Sequence, residues 1–298
     1  MGNISESVLA KLKNESKKKG VSLQQLLNLF CQEEFIRRLS KSNYKENLIL
    51  KGGLLLYSIS KFTTRSTIDA DYLLKNYSND IDAIERLIKE VISINNENEF
   101  IEIKIRNIEK ISEFKEYHGV RASLIGIIGR TRTPFSIDFG VGDIVIPSPV
   151  ERTLPVLLSN FEQPKILTYS LESTVAEKID AIIALMETTG RMKDFYDIYY
   201  IATTFDFEGR KLQEAIYETL TNRGRVYEKN SISDILRLTK DPEIQKRWNI
   251  FCNKILNYEL NFTDVVSIII DFILPPYESI LLEDEFFKNW RCKEGKYI

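Results

Sequence analysis

Arg65-Ser66-Thr67-Ile68-Asp69-Ala70-Asp71, running on into the apolar Tyr72-Leu73-Leu74, is the stretch that decides the fold. In an extended strand, side chains alternate between faces, so Asp69 and Asp71 aim the same way. Burying two unpaired like charges is costly. A divalent cation resolves that cost, because hard cations such as Mg2+ are held by one or two carboxylates together with substrate phosphates. Lys51-Gly52-Gly53 lies upstream, and glycine lets a backbone approach a phosphate closely. The pattern predicts a metal-dependent nucleotidyl-transfer site. Taken alone, the acidic pair also fits a solvated strand start or a helix cap, and Lys51 fits a solvent-facing strand end.

The rest of the composition narrows the chemistry. The chain has 298 residues, 43% hydrophobic and 28% charged, which suits a soluble globular protein of about two domains. Its formal net charge is -2, so any nucleic-acid contact must use a local basic patch. No apolar run approaches the ~18 residues of a membrane helix, and the opening residues show no signal-peptide pattern. Cys31, Cys252 and Cys292 fit neither zinc spacing nor a disulfide framework, so a cytoplasmic location is expected. His118 is the only histidine, which removes HExxH zinc chemistry and disfavours Ser-His-Asp and Cys-His catalysis. Neither a GxGxxG nor a GxxxxGK[ST] motif is present.

Hydrophobic periodicity predicts helices over 4–19, from Ser22 to about Leu39, and over 54–59 and 81–94. Strands are expected at 47–51, 68–74, 100–105, 120–128 and 134–139. Prolines 147, 149, 155 and 164 suggest a surface connection. Helices are expected beyond it, over 173–186, 194–203, 215–220, 232–238, 244–257 and 265–272. The expected organisation is N-terminal helices over 1–45, an α/β domain over 46–165 and a helical domain over 166–298.

In-line attack on an α-phosphate needs charge neutralisation and an activated hydroxyl, both of which carboxylate-held cations supply. Asp138, an isolated acid in the apolar Phe135–Phe139 pattern, is the candidate third metal ligand; a solvent-facing strand aspartate is the alternative. A second cluster comprises Glu177-Lys178 and Arg191-Met192-Lys193-Asp194-Phe195-Tyr196-Asp197. Asp194 and Asp197, three apart, share a helix face. They suit either helix capping with an ion pair or the placement of a phosphate-binding lysine.

In this order, Lys51-Gly52-Gly53, Arg65-x-Thr67-x-Asp69-x-Asp71, Glu177-Lys178 and Arg191-x-Lys193-Asp194-Phe195-Tyr196-Asp197 resemble the AbiEii/AbiGii toxin family, over about residues 45–203. These nucleotidyltransferases of the DNA polymerase β superfamily include abortive-infection phage-defence toxins and the MenT toxins. The resemblance implies an α+β fold, with a minimal polymerase-β-like sheet, flanking helices and a C-terminal helical domain. It also implies an NTP substrate, a Mg2+ cofactor, transfer of nucleotides to tRNA that blocks translation, and a cognate antitoxin.

Carried onto this sequence, Asp69 and Asp71 would hold the metal, with Asp138 as third carboxylate. Gly52 and Gly53 would form the triphosphate turn, with Lys51, Arg65 and Thr67 as further nucleotide contacts. Lys178 would touch phosphates, Asp194 would complete the catalytic set, and Asp197 would support it. The resemblance thus implies a split site, with its second half from the helical segment. Two departures stand out: Leu54 replaces a frequent Ser or Thr, and Ala70 a larger apolar residue.

Arg121, Arg130, Arg132, Arg191, Lys193, Arg223 and Arg225 are candidates for an RNA-binding patch, with a solvated surface as the alternative. Two other readings remain: modification of a protein or small molecule, as in antibiotic adenylylation, and a catalytically inactive binding fold.

Overall fold

A computed structural model describes residues 4–94, 98–111, 119–226 and 228–298; the Met1-Gly2 start and His118 lie outside them. The chain forms two compact units. One holds residues 1–142 and 150–168, the other residues 143–149 and 169–298.

The first unit is built on a seven-stranded mixed sheet in the order β3-β4-β5-β2-β1-β7-β6. Its strands are β1 (Leu48–Lys51), β2 (Asp69–Leu74), β3 (Ile101–Ile111), β4 (Gly119–Ile128), β5 (Thr131–Gly140), β6 (Val150–Thr153) and β7 (Lys165–Thr168). The acidic strand β2 is fourth of the seven, parallel to β5 and antiparallel to β1. Helices α1 (Ile4–Lys19), α2 (Leu23–Lys41), α3 (Gly52–Ile59) and α4 (Ile81–Ser93) complete the unit.

Ser22 starts α2 with a capping box: its hydroxyl accepts from the Gln25 N–H, and the Gln25 side chain accepts from the Ser22 N–H. Such a cap contributes about 1 kcal/mol. Leu26, Phe30, Phe35 and Ile36 are buried, and so is every other residue of α2 from Leu26 to Leu39. Its polar side is buried too. Glu34 binds Arg37 and Arg38 at 3.0 and 2.8 Å, and Arg38 also donates to the Ile101 carbonyl. Paired in this way, the charges tolerate burial.

The proline-rich stretch runs largely over the surface, as expected, but is not only a connection. It holds edge strand β6, which pairs with β7. Pro149 and Pro155 flank β6 and Pro164 precedes β7, so none of these three takes a ladder position.

The second unit is mainly helical, with α5 (Leu171–Leu185), α6 (Met192–Thr204), α7 (Gly209–Asn222), α8 (Pro242–Phe251) and α9 (Phe262–Leu281). Residues 233–240 wind as a 3-10 helix, and α8 ends in a π turn over Cys252–Leu256, closed by left-handed Asn257. Helix α9 runs well past Phe272, through Pro275 and Pro276, a pair that reads in sequence as a stop. Strands β8 (Phe207–Glu208), β9 (Asn289–Arg291) and β10 (Lys296–Tyr297) are too short to leave a periodic signal; they seat the buried Trp290.

Cys31, Cys252 and Cys292 are free, and burial pushes the Cys31 thiol up to about 12. Among the described residues no helix is long and apolar enough to cross a membrane.

Candidate active site

Strand β2 alternates as its sequence demands. Asp69 and Asp71 are half-buried on one face, while Ala70 and Tyr72 are buried on the other. The parallel register sets Asp71 beside Asp138 and Asp69 beside Ser136. Antiparallel register sets Asp138 opposite Arg121 and Asp71 opposite Lys51. One row therefore crosses four strands as Arg121, Asp138, Asp71 and Lys51, with charges plus, minus, minus, plus. Like charges side by side in a sheet repel, and the flanking cations offset this.

Arg121 donates from Nε and Nη2 to the two oxygens of Asp138, at 2.7 and 2.6 Å. This is a bidentate fork, the stronger kind of ion pair. That bond, with the charges of Asp138, Asp69 and Asp71, raises the Arg121 pKa further and keeps it a cation. Among the described residues no group of three or more His, Cys, Asp or Glu is arranged to hold a metal ion. Asp69 and Asp71 do fit the lighter arrangement in which two carboxylates and substrate phosphates share the ion.

The glycine pair follows β1 and opens α3. Gly52 has φ +67°, and a Cβ there would stand 2.2 Å from Oδ2 of Asp71. At Gly53 a Cβ would stand 2.9 Å from Oγ1 of Thr67 and 3.3 Å from Nη1 of Arg65. The two glycines are thus required by the close approach of Asp71, Thr67 and Arg65. A helix N-terminus at this turn presents backbone N–H groups suited to an anion. Leu54 is buried, so the hydroxyl absent there is replaced by core packing. Thr67 lies just before β2 rather than within it, and its hydroxyl turns to the Asp69 carbonyl at 3.4 Å.

In the second unit, Lys178 on α5 reaches Asp194 at 2.8 Å and Asp197 at 2.6 Å, both on α6. Arg191 binds the other oxygen of Asp194. Burial pushes the Asp194 carboxyl up, but Lys178 and Arg191 outweigh it and hold it below the usual carboxylate range. The expected capping role does not appear: the Asp194 carboxylate takes side-chain cations instead. Lys178 is accordingly held between two acids of α6.

A sequence model described as nucleotidyl transferase AbiEii toxin, type IV TA system, matches residues 34–277. The chain belongs to the AbiEii family. Its fold is also that of MenT4, a nucleotidyltransferase toxin from Mycobacterium tuberculosis, at 12% identity and TM-score 0.54 over 93% of this chain and 99% of that one. JHP933 from Helicobacter pylori matches at 13% identity and TM-score 0.50, over 88% and 95%. At these identities the likeness is one of fold. No curated protein is significantly similar in sequence. The family makes this chain a nucleotidyltransferase toxin, with an NTP as substrate and an antitoxin as partner.

In this AbiEii chain the structure brings Lys51, Gly52, Gly53, Arg65, Thr67, Asp69, Asp71 and Asp138 together in the first unit. It joins Lys178 to Asp194 in the second. The predicted basic patch does not hold as a set. Arg223 is largely buried between Asp180, Asp143 and Glu177, and Arg225 also binds Asp180. Arg130, Arg132 and Lys193 remain exposed.

The pairing of Arg121 with Asp138 is the feature sequence reading missed. A signal existed: counting back from a two-residue turn at Gly129-Arg130 sets Arg121 opposite Asp138.

Proposed function

We propose that this chain is a Mg2+-dependent toxin that transfers nucleotides from an NTP to tRNA, and that it stops translation in abortive-infection defence. The observation that carries the reading is the Asp69–Asp71 face beside the Gly52–Gly53 turn. Asp69 and Asp71 would hold the Mg2+, which supplies charge neutralisation on the transferred phosphate when bound. The backbone of the glycine turn receives the triphosphate, with Lys51, Arg65 and Thr67 around it. Lys178 and Asp194 belong to the same reaction, with Asp197 fixing the lysine. An antitoxin encoded nearby restrains the activity in the cytoplasm.

The test is incubation of the purified chain with each labelled NTP, Mg2+ and total tRNA. Label in tRNA that is lost in Asp69→Ala supports the reading. Label in protein or a small molecule, or in nothing, sinks it. One observation favours a non-RNA acceptor: Arg191, Arg223 and Arg225 are spent on internal acids, which weakens the basic surface that RNA needs.

A further inference from the structure

We infer that Asp138 is a positioning residue rather than a metal ligand, and that it aims Arg121 at a phosphate group of the substrate. The inference rests on the nucleotidyl-transfer reading of the Asp69–Asp71 face.

Three observations lead to it. First, the fork engages both oxygens of Asp138. An ion on this carboxylate would share it with a permanent cation at hydrogen-bond distance. Second, the fork uses Nε and Nη2 of Arg121 and leaves the Nη1 edge, while the side chain is 42% exposed. A guanidinium fixed on one edge and open on the other suits bidentate capture of a phosphate. Third, Arg121 is in register with Asp138, and Asp138 with Asp71. The guanidinium therefore stands two strands from the acidic pair, on the same sheet face, where a substrate phosphate next to the reacting one would need a counter-charge. Asp138 removes the cost of ordering that long side chain on each binding event.

The phosphate could belong to the NTP or to the RNA acceptor, and two binding measurements separate these sources. Mn2+ binding is followed by electron paramagnetic resonance, and binding of a non-hydrolysable NTP and of tRNA by fluorescence, in Asp69→Asn, Asp138→Asn, Arg121→Gln and Arg121→Lys. Asp69→Asn is expected to weaken Mn2+ by about ten-fold or more, and Asp138→Asn to leave it unchanged. Arg121→Gln is expected to weaken one phosphate-bearing ligand by about ten-fold, the scale of a charged hydrogen-bond pair. Arg121→Lys should recover only part of this, since an ammonium cannot form the fork. The ligand affected names the source.

If Asp138→Asn loses Mn2+ as Asp69→Asn does, Asp138 is a metal ligand and the inference fails. Unchanged binding of both NTP and tRNA in Arg121→Gln also overturns it. Full Mn2+ binding in Asp69→Asn would instead overturn the nucleotidyl-transfer reading, and the Arg121 variants would still report on phosphate capture. Thermal melting of each variant separates these outcomes from misfolding.

Discussion

Gly52 and Asp71 are packed so closely that the site admits no side chain between them: a Cβ on Gly52 would sit 2.2 Å from Oδ2 of Asp71. The backbone there is also left-handed, at φ +67°. Gly52→Ala should therefore cost on the order of 2 kcal/mol in stability. It should also push Asp71 off its position, and a displacement of about 1 Å can cost ~100-fold in rate. Denaturant melts and NTP-transfer rates check both. A variant with wild-type rate would show that the Asp71 position does not matter to turnover.

Asp69→Ala should abolish transfer while leaving the fold intact, because Asp69 is half-exposed and outside the core. Circular dichroism with the labelled-NTP assay tests the pair of outcomes. Retained transfer would remove the acidic pair from the reaction.

Lys178→Met would leave Asp194 and Asp197 buried together without their shared cation. Breaking a buried pair from one side costs about 3–5 kcal/mol. We expect an early unfolding transition together with lost activity. An unchanged unfolding midpoint would show that the lysine adds little to the helical unit.

Two carboxylates predict opposite responses to pH. Burial, opposed by Arg37 and the Leu157 N–H, raises Glu33 from 4.5 to about 7. Folding therefore takes up a proton between these values, and this contribution to stability falls as pH rises through that window. Glu33→Gln should flatten the fall. Asp194 is lowered, so its contribution is present above the ordinary aspartate range and is lost as pH drops through the depressed value. Melting curves from about pH 2 to 8 on both Glu33→Gln and Asp194→Asn check the two signs.

The strand carrying Asp69 and Asp71 was legible because its period of two survives in the structure. The capped helix α2 was legible because Ser22 and Gln25 are a local signal. The buried ions of α2 were not, since Glu34, Arg37 and Arg38 look like a solvated face until their mutual pairing is seen. Arg223 misled for the same reason: sequence shows a charge, and only tertiary structure shows Asp180 and Asp143 around it. The acidic residues of the candidate site could be read, while the partner of Asp138 required the register of a hairpin.

Strand β2 lies in the middle of its sheet, hydrogen-bonded on both sides, and its carboxylates do more than await a ligand. A slip of one residue would turn Asp69 and Asp71 toward the interior and expose Tyr72. The charges that make the site thus also proofread the assembly of the sheet, because a pairing of the central strand that slips by one residue would bury them. A variant that neutralises both acids should lose this discrimination, and its refolding should become more prone to trapped, misregistered states than that of the native chain.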